Sequence, residues 1–184
     1  MTLLIKMKNF VIVLLSFVLF IGCKPDPNEE SIKKIDALLV QVKEAESGLS
    51  GLSPDKYLPY MDTINFDVKF IQQEFSDTMT LAIGTKVDGY YRIVKSISKY
   101  ESTYNDQLKD IKYSSKQLNN LRSDLGVGVL DSNLLAMYLP TESEAVSRLL
   151  ESNTSLKIWH ESIGKDFLRK RPAIDSLIAT IKEK

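Results

Sequence analysis

Apolar residues recur along most of the chain at the three- and four-residue spacing of helices that bury one face. From Ser31 onward the first stripe is Ile32, Ile35, Leu39, Val42 and Leu49, interrupted by Glu46 and closed by Gly48 and Gly51. Ser53-Pro54 has the form of an N-cap followed by proline in the first turn, and it opens a second segment. The second stripe is Tyr57, Met61, Ile64, Val68, Ile71, Phe75, Met79 and Ala82. Gly84 is the expected breaker after it, with Thr85 capping the third segment; Ser76-Asp77 is the alternative break. Residues 64–70 and 78–83 also alternate as strands do. A small hairpin on a helical body is therefore the competing reading, but the helical stripe crosses both stretches without losing phase.

The third segment is the most regular. Positions 83, 90, 97, 104, 111, 118 and 125 are all apolar at a seven-residue step, and positions 87, 94, 101, 108, 115 and 122 are half apolar. The alternation is that of a heptad seam, so a coiled-coil-like hairpin is expected. Gly126 is the expected left-handed C-cap. Asp131 starts a short helix through Tyr138, Pro140 restarts the chain, and Thr141 with Glu144 forms a capping box. The last stripe is Val146, Leu149, Leu156, Trp159, Ile163 and Phe167, resuming after Pro172 at Ile174, Leu177 and Ile181. Proline at 172 is expected to kink that helix or to begin a separate final turn. The pattern predicts an all-α antiparallel bundle of three to four long helices over residues 31–184.

The first residues obey another rule. Lys6 and Lys8 precede the unbroken apolar run at 10–21, which is shorter than the ~20 residues a membrane-crossing helix needs and matches the core of a signal peptide. Met7-Lys8-Asn9 reads as the more natural start. The run ends in Phe20-Ile21-Gly22-Cys23, and Cys23 is the chain's one cysteine. This resembles the lipobox of bacterial lipoproteins, in which a small residue precedes a cysteine that becomes the lipid-modified N-terminus; Phe20 departs from the usual leucine. The resemblance covers residues 1–23 and implies a signal peptide over 1–22, acylation of Cys23, a tether over 23–30 and residence in a bacterial cell envelope, on its periplasmic or surface-facing side. Loss of Lys6 and Lys8 with the leader lowers the 24 basic residues to 22 against 24 acidic ones, and thioether formation uses the one thiol.

Candidate chemistry is sparse. A balance of 24 basic and 24 acidic residues offers no basic face for nucleic acid. One His and one Cys cannot supply a multi-thiolate or two-imidazole metal site, and Lys157 stands where a Glu-x-x-His pair would need its carboxylate, so no metal and no cofactor are expected. His160 beside Trp159 reads as a packing histidine, since no motif supplies a nucleophile and an orienting carboxylate. Lys165, Arg169, Lys170 and Arg171 form a basic cluster that reads as a solvated helix end, with contact to anionic head groups as the functional alternative. The tyrosines are more suggestive. Tyr90, Tyr91, Tyr100 and Tyr104 crowd the third segment and form either a core row or a strip for a sugar, peptide or small ligand.

A partner site is also suggested. If the segments fold back on one another in order, the second meets the third near residue 115. Everything beyond it overhangs, including Val127, Val129, Leu130, Leu134, Leu135, Met137, Tyr138 and Leu139. Capping the bundle end is the ordinary use of such a group. The functional use is docking of another envelope protein on Leu130, Leu134, Leu135 and Tyr138. The expected function is thus a non-enzymatic, lipid-anchored bundle that presents a protein-interaction surface; the alternative is a ligand-binding lipoprotein using the tyrosine-rich face.

Overall fold

The computed structural model describes residues 27–75 and 79–183. Cys23, the leader and most of the tether lie outside them, as do residues 76–78. Among the described residues four α-helices occur in order: α1 Pro27–Gly48, α2 Leu58–Glu74, α3 Leu81–Gly126 and α4 Ser132–Lys182. A 3-10 turn, Pro54–Tyr57, precedes α2, and no strand occurs among the described residues. The fold is an all-α bundle.

Two helices of 46 and 51 residues, α3 and α4, form the long antiparallel hairpin. Their joint is a Schellman turn. Val129 N–H reaches Asp124 C=O at 2.9 Å and Gly128 N–H reaches Leu125 C=O at 3.1 Å. The left-handed residue is Gly128, at φ 71°, so Gly126, the expected C-cap, is still helical. Asp131 then caps α4, accepting from the amides of Asn133 and Leu134 at 2.8 Å.

The other two helices lie end to end in the groove of that hairpin. Successive contacts run along it in one direction: Asp36 to Arg122, Ala45 to Asn153, Leu52 to Tyr100, Tyr57 to His160, and Asp67 to Tyr90 and Arg171. Both α1 and α2 pack on α3 and α4. The bundle is therefore three helices thick at each level, its third column made of two pieces. The link between them turns at Gly51, φ 81°, without reversing the chain, and is nailed down by buried Leu49, Leu52 and Pro54.

This overturns the expectation that the segments fold back in order. The second segment begins beside Tyr100, not near residue 115, and α1 covers the part of α3 that was expected to overhang. The break after α2 is also the alternative one. Helix α2 ends at Glu74, Thr80 caps α3 through the Ile83 amide, and α3 runs straight through Gly84 and Thr85. Residues 64–70 are helical, not extended.

Pro140 and Pro172 both sit inside an unbroken α4, where a restart and a kink or new turn were expected. Each ring removes one helix hydrogen bond, freeing the carbonyl four residues earlier. Both prolines, and Ala136 and Leu168 that carry those carbonyls, face solvent, so water can answer the loss. The inward row of Leu135, Val146, Leu149, Leu156, His160, Ile163, Phe167 and Ile174 holds the helix in register meanwhile.

Candidate functional site

Helix α3 carries two buried rows, not one and a half. The first is the expected row through Tyr90, Ile97, Ile111, Leu118 and Leu125. The second runs through Ile93, Tyr100, Gln107 and Ser114, one residue earlier than the pattern of apolar positions indicated. Its polar members explain the shift. Tyr100 and Gln107 bond to groups outside α3 and build polar joints across the core.

In the joint nearest the α3–α4 turn, the Gln107 amide donates to the Leu149 carbonyl at 2.7 Å and to Asn153 Oδ1 at 3.0 Å, and Asn153 donates to the Ala45 carbonyl. The middle joint is aromatic. Tyr57, Tyr100 and His160 pack with ring centroids 4.9–6.2 Å apart, and Tyr100 also meets Trp159 edge-on at 5.8 Å. The Tyr57 hydroxyl donates to the His160 carbonyl and the Tyr100 hydroxyl to the Leu52 carbonyl. The third joint is ionic. Buried Asp67 accepts from Tyr90 OH at 3.0 Å and from Arg171 Nη1, while Arg171 Nε reaches Asp175 at 2.7 Å. Every buried side-chain nitrogen and oxygen among the described residues has a partner.

The protonation of His160 is dictated by its neighbours. A carbonyl can only accept, so Tyr100 spends its proton on Leu52 and its oxygen is left to accept from His160 Nδ1, 3.1 Å away. Lys56 Nζ can only donate, so His160 Nε2, at 3.2 Å, must be the acceptor. The ring is therefore neutral, with its proton on Nδ1. Burial, then the Lys56 charge, pushes its pKa below the usual histidine range, with Glu161 pulling the other way. A depressed folded-state pKa means that the unfolded chain takes up the proton first as pH falls. Stability from this joint is complete above about pH 6.5 and declines as pH drops toward the lowered value. Because His160 is the chain's one histidine, His160→Gln is expected to flatten the slope of stability against pH just below 6.5, read by urea unfolding at a series of pH values.

The tyrosines expected as a ligand strip do not share one surface. Tyr90 and Tyr100 are fully buried in the ionic and aromatic joints, and Tyr104 is half-buried against the core. Tyr91 alone is exposed, and it lines a groove of about 440 Å³ between α2 and α3. Val68, Met79 and Val87 supply apolar lining there, with Lys69 and Asp88 as its charged members. The size falls within the range of ordinary ligand sites. Apart from Tyr91, these groove residues were read from sequence as stripe positions or not at all, because they converge only once α2 and α3 pack.

The residues suggested for a partner divide. Leu135 is core at 3% exposure and Leu130 packs half-buried against the core, whereas Leu134 and Tyr138 are exposed. Val127, Val129 and Met137 join those two on the outside. The basic cluster is spent: Lys165 pairs with Glu161, Arg169 with Asp166, Arg171 with Asp67 and Asp175, and Lys170 donates to the Gly89 carbonyl. It does not mark a helix end either, since α4 continues to Lys182.

Among the described residues no group of three His, Cys, Asp or Glu side chains is placed to hold a metal ion, and no helix is long and apolar enough to cross a membrane. No family model matches the chain, and no curated protein or solved structure matches it.

Proposed function

We propose that the protein is a lipid-anchored component of a bacterial cell envelope, tethered through Cys23, whose helical bundle serves as a binding surface for another envelope protein and not as an enzyme. The observation that carries this reading is where the reactive side chains are spent. His160, Tyr57, Tyr100, Asp67, Arg171 and Gln107 are all committed to joints between helices, which leaves surface, not chemistry, as what the bundle offers. The surface assigned to the partner is the α2–α3 groove. It is an open concavity at the end of the bundle away from the start of α1. Exposed Phe66 of α2, next in sequence to Asn65 of the groove, and exposed Leu81 of α3, three residues before Gly84, are further apolar surface on the same two helices.

A small ligand held against Tyr91 is the second reading, favoured by the volume of the groove. One experiment separates the two. A photo-crosslinking residue at position 91 of the full chain, irradiated in intact envelopes, is expected to yield a discrete protein adduct. The same residue at exposed Ser155 is expected to yield none. Equal labelling at both positions would refute a protein partner in the groove. A rise in melting temperature with a metabolite library would then favour the ligand.

A further inference from the structure

The α3–α4 turn leaves its apolar side chains uncovered. Val127, Val129, Leu134, Met137 and Tyr138 are exposed by 42–76%. They make up five of the thirteen large hydrophobic residues exposed among the described residues, gathered within residues 127–138. Leu134, Met137 and Tyr138 have the i, i+3, i+4 spacing and share one face of α4. The turn supplies the two valines.

The start of α1 lies at this same end. Asp36 of α1 meets Arg122 of α3 at 2.6 Å, and the two helices run in opposite directions. Pro27 is nine residues before Asp36, and equal rise per residue places it at about the level of residue 131, beside the turn. Cys23 is four residues earlier, within ~14 Å of chain. That span lets an acyl group on Cys23 reach a bilayer that touches the exposed apolar turn.

We propose that this turn rests in the interfacial layer of the membrane that holds the anchor. The proposal rests on acylation of Cys23. The contact is apolar, not electrostatic: Asp124, Asp131 and Glu142 surround the turn, and Arg122 is already engaged by Asp36. It therefore needs no anionic lipid. Tyr138 fits such a boundary, with an apolar ring and a phenol that stays wet. Two or three acyl chains already retain the protein. What the turn adds is orientation. A second contact beside the anchor stands the bundle on end and carries the α2–α3 groove roughly 60 Å outward, the length of α3 from Gly84 to Gly126.

The test uses the lipidated full chain with Met137→Cys, labelled by an environment-sensitive dye and reconstituted in phosphatidylcholine vesicles containing brominated lipid. Ser155→Cys on the side of the bundle is the control. Quenching at 137 is expected to exceed that at 155 by at least about twofold, with a depth of ~5–10 Å below the head groups. Adding Val127→Ser and Val129→Ser is expected to abolish the difference while circular dichroism stays unchanged. Flotation with the vesicles reads the anchor separately. A protein that floats but shows equal quenching at both positions overturns the seated turn alone; one that fails to float overturns the anchor and the proposal together. A protein crosslink from position 137 in envelopes, with no lipid quenching, would assign the turn to a protein partner instead.

Discussion

Replacing Asp67 by alanine is expected to cost about 3 kcal/mol of stability and to lower the melting temperature by about 6–12 °C. Asp67 joins three helices: it sits in α2, accepts from Tyr90 of α3 and pairs with Arg171 of α4. Burial pushes its carboxyl above the usual range, against the pull of Tyr90 and Arg171, and Asp175 adds to the upward push. The charge is thus costly to bury, but removing it leaves the buried Tyr90 O–H without an acceptor, though its oxygen still accepts from Arg171 Nη1, and strips Arg171 of its inner carboxylate. Arg171 keeps Asp175 and is 29% exposed, which holds the loss near the lower end for a broken buried pair. In a Tyr90→Phe background, where no buried hydroxyl is left unpaired, the combined change Asp67→Leu with Arg171→Met should recover most of the stability, since it removes both charges at once. Thermal and urea unfolding of the three proteins checks the ordering. Equal loss in Asp67→Ala and in the triple variant would show that shape, not charge pairing, makes this joint.

The helices were legible because each buries one face for its whole length. Ile32, Ile35, Val42, Ile64, Val68, Ile71, Val146, Leu156, Ile163 and Ile174 all sit on the inward faces their spacing assigned. Breaks and stacking order were less legible. Gly84 costs a helix about 1 kcal/mol relative to alanine, a local bias that packing of Ile83, Val87 and Tyr90 outweighs. The prolines of α4 are tolerated because their lost bonds face water. The link at 49–57 carries the signals of a turn, and the same signals serve a reversal or an in-line step; only its buried leucines, docked on α3 and α4, decide between them.

The site was the least legible part, for a related reason. Apolar counting discards polar residues, and the second row of α3 owes its burial to polar ones. Gln107 and Ser114 fall outside the apolar stripes, yet both are buried. They become core once Leu149, Asn153 and Ala45 are brought alongside Gln107, a convergence of residues 42 to 62 positions apart with no local signature. The uncovered turn was visible as a dense apolar group. Leu135 could not be told from Leu134 until the phase of α4 was known.

Tyr100→Phe is expected to cost about 2–4 kcal/mol, more than the loss of an average hydroxyl, because two buried groups lose their partner together. The Tyr100 hydroxyl is the donor for the Leu52 carbonyl in the link between α1 and α2, and the acceptor for His160 Nδ1 of α4. Leu52 lies outside any helix, so its carbonyl has no ladder to return to. Tyr57→Phe provides the contrast. That hydroxyl donates to the His160 carbonyl, which α4 already engages through its own hydrogen-bond ladder, so about 1 kcal/mol is expected. Ring packing is retained in both variants, which confines the difference to hydrogen bonds. Urea unfolding near pH 7.5 measures it with His160 neutral. If Tyr100→Phe lost no more than Tyr57→Phe, the joint would be an aromatic cluster with incidental hydroxyls, and the link would be held by the burial of Leu49, Leu52 and Pro54. If the larger loss is found, hydrogen exchange should also show amides at 49–57 opening before the rest of the bundle in Tyr100→Phe, since that variant unclamps the one place where the third column of the bundle is broken.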